Sequence, residues 1–115
     1  MVIQQGDVYW IELGEPKGRG LATRHPYVVV QGNPFNKSRI STAVVCGLTS
    51  NLKRAEIPGN VLLKKGEANL LKESVVVVTQ LYTVDQNQLS ERIGILTADR
   101  IEEITRGIKT MMDAD

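Results

Sequence analysis

The apolar positions of this chain change period once. Through residue 96 they come in short, β-branched runs bounded by glycine, proline and asparagine, the pattern of strands. Asp7-Val8-Tyr9-Trp10-Ile11-Glu12-Leu13 predicts the first strand, ended by Gly14-Glu15-Pro16. Tyr27 to Gln31 predicts a second, closed by Gly32-Asn33-Pro34, and Ile40 to Leu48 a third. A short fourth runs from Asn60 to Leu63, the longest from Ser74 to Tyr82, and a late one from Arg92 to Leu96. Continuous apolar runs at close spacing predict a compact barrel rather than an open sheet with one wet face. From Thr97 the spacing lengthens. Ile101, Ile104, Ile108 and Met111 recur at steps of three and four, the stripe of an amphipathic helix. Thr97 suits its N-cap, and Asp99 and Lys109 suit the two ends of its dipole. Gly107 lies inside this helix, where glycine is about 1 kcal/mol worse than alanine, so packing is expected to compensate.

Length and composition narrow the class. A chain of 115 residues is expected to form one domain, residues 1–115, with a core that needs neither disulfide nor metal. The only cysteine, Cys46, falls in the third apolar run and reads as a small buried thiol. No charged-then-apolar leader opens the chain and no apolar run nears the ~18 residues of a membrane helix, so a soluble cytoplasmic protein is expected. The net charge is only +1, but it is unevenly spread. Residues 1–84 carry ten Lys and Arg against six Asp and Glu, a balance of +4; residues 85–115 carry four against seven, a balance of −3. Such asymmetry suits a basic working face, and uneven solvated surface gives the same count.

Candidate chemistry is limited by what is missing. One histidine and one cysteine do not furnish a zinc shell, and no paired carboxylates stand out for acid–base work. Gly18-Arg19-Gly20 leads into a strand, not into a phosphate-binding helix. What remains is a basic loop, with Lys17, Arg19, Arg24 and His25, and a hydroxyl-bearing turn, Leu48-Thr49-Ser50-Asn51, that continues through Lys53 and Arg54. Arginine holds phosphate in a fork, histidine moves protons near neutral pH, and a threonine hydroxyl hydrogen-bonds a phosphoryl oxygen. These are the parts of an RNA cleavage site that uses no metal or cofactor and takes the RNA's own 2′-OH as nucleophile. They are equally the parts of ordinary solvated loops.

Three stretches, in order, carry a resemblance to the MazF/PemK family of toxin endoribonucleases from bacterial toxin–antitoxin modules. "GDVYWIEL" (Gly6 to Leu13) resembles the family's opening strand, and "GRGLATRHPYVVVQGNPFN" (Gly18 to Asn36) its loop, Arg-Pro step and buried strand. "TAVVCGLTS" (Thr42 to Ser50) resembles its third strand; beyond these three, "VVVVTQLYTVD" (Val75 to Asp85) adds weaker support by resembling a later segment. The resemblance implies a mainly β fold with a C-terminal α-helix, a small SH3-like β-barrel of five to seven strands, usually a homodimer. It implies cleavage of single-stranded RNA without metal, leaving a 2′,3′-cyclic phosphate and a 5′-hydroxyl, and restraint by a cognate antitoxin with an acidic tail.

The family's catalytic pair is a threonine after the third strand and an arginine just before the proline of the second. The threonine carries over to Thr49. The position before Pro26 is His25, and Arg24 stands one residue earlier. Either His25 takes the acid–base role while Arg24 supplies charge, or a small loop shift puts Arg24 in the usual place; the second is favoured, with His25 as its neighbour. The expected catalytic residues are thus Arg24, Thr49 and His25, and the expected RNA contacts Lys17, Arg19, Ser50, Lys53, Arg54 and Gln80, the last able to read a base edge. The chain departs from the family at Arg19-Gly20, Thr79 and Tyr82, which bears on specificity. Trp10 is assigned to the core, leaving Tyr27, Tyr82 and Phe35 as candidate stacking platforms. The alternative is a non-catalytic barrel that binds nucleic acid or a protein target such as DNA gyrase. The gyrase version lacks its C-terminal Trp-Gly-Ile feature here, where the tail reads Gly107-Ile108-Lys109-Thr110-Met111-Met112.

Overall fold

The computed structural model describes residues 2–13 and 24–114. Six strands form one antiparallel sheet: β1 (Asp7–Glu12), β2 (Arg24–Val29), β3 (Thr42–Thr49), β4 (Val61–Leu63), β5 (Ser74–Asp85) and β6 (Glu91–Ile95). Their spatial order is β4-β5-β3-β2-β1-β6, curled into a half-barrel. A one-turn helix, α1 (Asn33–Asn36), follows β2, and α2 (Ala98–Met111) ends the chain.

The continuous apolar runs have a direct cause. Both faces of the sheet are buried, so consecutive residues of one strand enter different cores. Val8, Val28, Cys46, Leu48 and Val76 pack inside the curl with Ile104 of α2. Tyr9, Ile11, Tyr27, Val29, Val45 and Val84 form a second cluster on the opposite face. Cys46 is fully buried, donates to the Val77 carbonyl at 3.0 Å, and has its thiol pushed up to about 12 by burial. It is a core residue, as the sequence predicts.

Helix α2 closes one end of the curl. Thr97 caps it, its hydroxyl oxygen accepting from the Arg100 N–H at 3.4 Å. The glycine inside this helix is explained by contact: a Cβ on Gly107 would stand 2.1 Å from the Gly59 carbonyl oxygen. The backbone of Gly59 (φ +89) runs directly against the helix, and only two glycines allow that approach.

Strands β4 and β6 are the sheet's edges among the described residues, and a turn at Glu67–Asn69 spans the gap between them. Asn69 Nδ2 donates to the Ile93 carbonyl at 3.0 Å. Gly94 lets the turn approach β6, since a Cβ there would meet the Ala68 carbonyl oxygen at 2.5 Å. Arg100 fastens the turn to α2 with a fork to Glu67, both bonds 2.9 Å, and a third bond to Glu103 at 3.1 Å. The hydrogen bonds from Arg100 hold the Glu67 carboxyl below its ordinary value against the opposing effect of burial. A depressed native pKa means that this stability is complete above the unfolded value of about 4.3 and is lost as pH falls through the native one. Glu67→Gln should therefore lower stability at neutral pH and flatten its acid-side decline below about pH 4.3, measured by urea unfolding at several pH values.

Candidate functional site

One end of the half-barrel carries a cavity. There the last residues of β1 and β3 and the first of β2, β5 and β6 meet the chain after the Glu67–Asn69 turn around a cavity of about 520 Å³. Its apolar walls are Trp10, Pro26, Leu48, Leu70, Leu71 and Ile93. Its polar lining is His25, Thr49, Ser50, Asn69, Lys72, Ser74 and Arg92, with no carboxylate among the described residues. Among the described residues the lining is therefore apolar at the walls and cationic in its charge.

The β2–β3 ladder pairs Val29 with Val45, Val28 with Cys46 and Tyr27 with Gly47, and ends there. His25 and Thr49, just beyond it on the two strands, both line the cavity. Arg24 and His25, expected in a loop, belong instead to β2, paired with Glu12 and Ile11 of β1. Pro26 is tolerated because at this point β2 is bonded on the β1 side only, so its missing N–H interrupts no ladder to β3. Thr49, expected in a turn, is the last residue of β3 and pairs with Val75. Its Oγ1 accepts from the Asn51 N–H at 3.2 Å, which leaves the hydroxyl hydrogen free to donate.

Strand alternation separates the two neighbours that the sequence leaves in competition. Arg24 falls on the face of Trp10, its guanidinium 5.1 Å from the indole centroid and ion-paired with the Glu91 carboxylate. The indole it covers is itself part of the cavity wall, and His25 also lines the cavity. Trp10, assigned to the core from sequence, forms part of the cavity wall.

The remaining expected contacts separate into groups. Ser50 lines the cavity. Lys53 and Arg54 are exposed on a 3₁₀ turn (Leu52–Glu56) that follows it, outside the lining. Gln80 is half-buried beside β3, with its Oε1 2.8 Å from where a Cβ on Gly47 would lie. Tyr27 is buried and meets Tyr82 edge to face, centroids 5.8 Å apart. Lys17 and Arg19 lie outside the described residues.

Two cations at the cavity were not found from sequence. Arg92 is steadied by Asp7, Nε to Oδ1 at 3.2 Å, while the other Asp7 oxygen accepts from the Gln4 N–H at 2.9 Å. Lys72 is exposed on the segment leading into β5. A lone arginine in the apolar run Arg92-Ile93-Gly94-Ile95 is a usable signal; Lys72 carries none.

Residues 4–112 match the family described as PemK-like, MazF-like toxin of type II toxin-antitoxin system. Endoribonuclease MazF2 of Mycobacterium bovis is 38% identical over 113 residues, covering 98% of this chain and 99% of the relative. Endoribonuclease MazF6 of Mycobacterium tuberculosis matches to the same extent, 38% over 113 residues. Among solved structures, a mycobacterial endoribonuclease in complex with its cognate antitoxin superposes with a TM-score of 0.80 at 20% identity, covering 98% of this chain and 97% of that one. That last likeness speaks to the fold.

Proposed function

The chain belongs to the PemK-like, MazF-like toxins of type II toxin–antitoxin systems, and we propose that it is an endoribonuclease whose reacting groups stand at the cavity end of the half-barrel. Its role is that of the toxin, cutting single-stranded RNA and thereby halting translation in the cytoplasm. A cognate antitoxin restrains it, and the working form is a homodimer, as the family resemblance implies. What supports the site assignment is that His25 and Thr49, from neighbouring strands, both line a cavity with no acid among the described residues.

In this reading the 2′-oxygen attacks the adjacent phosphorus. The 2′-O–P bond forms, the P–O5′ bond breaks, and the products are a 2′,3′-cyclic phosphate and a 5′-hydroxyl. The His25 imidazole accepts the 2′-hydroxyl proton, and the departing 5′-oxygen takes one from water at the open mouth. The Thr49 hydroxyl donates to a non-bridging oxygen as charge grows on it, assisted by the Arg92 guanidinium. Arg24, held by Glu91 and Trp10, supplies positive potential beside the site, and Lys53, Arg54, Lys17 and Arg19 extend the track for the backbone. Gln80 is placed to read a base edge along the same face. No cofactor enters the scheme.

The test is the chemistry of the ends. Single-stranded RNA incubated with the protein in excess chelator should yield fragments whose 5′ ends accept phosphate from a kinase directly and whose 3′ ends are cyclic phosphates. Products with 5′-phosphates, or cleavage only on adding a divalent ion, would overturn this mechanism.

A further inference from the structure

We infer that Arg100 is a positioning residue for RNA cleavage, acting through Glu67 to hold the segment 66–72 that supplies one side of the cavity. This rests on the endonuclease reading above and adds to it a control point on α2, outside the residues that line the site. Four consecutive lining residues, Asn69, Leu70, Leu71 and Lys72, belong to this segment. All four lie outside the strands, so their place is set by whatever ties the turn before them.

The turn is strained. Ala68 (φ 48) and Asn69 (φ 61) both have left-handed backbone, which a residue with a Cβ adopts only where its surroundings hold it there. Three ties do the holding. Leu70 is buried in the core cluster with Leu63 and Leu96. Asn69 Nδ2 donates to the Ile93 carbonyl at 3.0 Å. The Glu67 carboxylate accepts three hydrogen bonds, from Arg100 Nε and Nη2 at 2.9 Å each and from the Lys64 N–H at 2.7 Å. Glu103 accepts from the remaining guanidinium nitrogen at 3.1 Å, which fixes the plane of the fork. A solvated ion pair contributes little, but this one is bidentate and its two side chains are only 22% and 24% exposed. Without it Ala68 is free to relax from its left-handed conformation, and the turn shifts with Lys72 behind it. His25 and Thr49 stand on β2 and β3 and keep their places. Loss of Arg100 should therefore weaken capture of RNA more than it slows the chemical step.

The test follows cleavage of one single-stranded RNA in chelator by wild type, Arg100→Ala, Glu67→Gln, the double variant and Arg106→Ala, at a temperature where circular dichroism shows each folded. Arg106 pairs with Glu102 on the exposed side of the same helix and controls for the loss of one positive charge. Arg100→Ala should raise KM about tenfold and change kcat by less than about threefold, while Arg106→Ala stays near wild type. A merely structural role would do the reverse, lowering apparent kcat at unchanged KM because only the folded fraction falls. Adding Glu67→Gln to Arg100→Ala should raise KM no further, since both remove the same tie. Trp10, the only tryptophan and part of the cavity wall, gives a readout that needs no RNA. Acrylamide should quench its emission more strongly in Arg100→Ala than in wild type or Arg106→Ala. The inference is overturned, with the nuclease reading intact, if Arg100→Ala keeps the wild-type KM or leaves Trp10 no more accessible than Arg106→Ala does. It is overturned equally if the effects of Arg100→Ala and Glu67→Gln multiply in the double variant. If wild-type protein leaves RNA uncut, the nuclease reading falls and the cleavage role of Arg100 falls with it.

Discussion

Alanine at His25 or at Thr49 should each lower single-turnover RNA cleavage by about 10²- to 10⁴-fold, with little effect on the melting temperature. Both side chains stand at strand ends, and neither belongs to either buried cluster, so truncation leaves the core intact. The magnitude follows from the roles. Loss of a positioned proton acceptor removes general base catalysis, and loss of a donor to the growing negative charge removes a transition-state hydrogen bond. Arg24→Ala should behave differently, raising KM more than it lowers kcat, because the guanidinium is held on Trp10 and Glu91 beside the cavity. His25→Arg separates the two roles an imidazole could fill. If it restores most of the rate lost in His25→Ala, positive charge is what the position supplies; if it stays slow, proton transfer is.

Gly107→Ala should destabilise the protein by about 1–3 kcal/mol, although alanine is the better helix former by about 1 kcal/mol. The sign is decided by the contact. A methyl group 2.1 Å from the Gly59 carbonyl oxygen meets backbone that is itself tied into the fold, so helix and turn must move apart. Asn60, next along, accepts the Val78 N–H at 3.0 Å through its side-chain oxygen, and Ile57 accepts from the Asn60 N–H at 3.1 Å. Displacing Gly59 therefore strains bonds on both sides. Equilibrium unfolding in urea checks it. A stability equal to or above wild type would mean that the helix end shifts freely.

Much of this architecture is legible in the residues. The six apolar runs are six strands, the change of period at Thr97 is the start of α2, and the poor helix former at Gly107 marks a close approach. Tertiary pairing decided the rest. Pro26 reads as the boundary of a loop, and only the one-sided bonding of β2 shows why Arg24 and His25 can be strand residues before it. Once they are, period-two alternation sends adjacent side chains to opposite faces, with Arg24 on the face of Trp10 and Pro26. Trp10 reads as core because its neighbours are apolar; its place on a cavity wall depends on residues 69–72 crossing from the far edge of the sheet. No local pattern announces that crossing. Lys72 and Arg92 were missed for the same reason, since they reach the site from segments distant in sequence.

A double-mutant cycle on cyclic-phosphate formation, with wild type, Thr49→Ala, His25→Ala and the double variant on one RNA in chelator, tests most directly whether His25 and Thr49 act together. If both side chains act on one phosphate, each single variant is severely slowed and the double variant is scarcely slower than the worse single one. Wild-type rates in either single variant would contradict the placement of the reaction between His25 and Thr49.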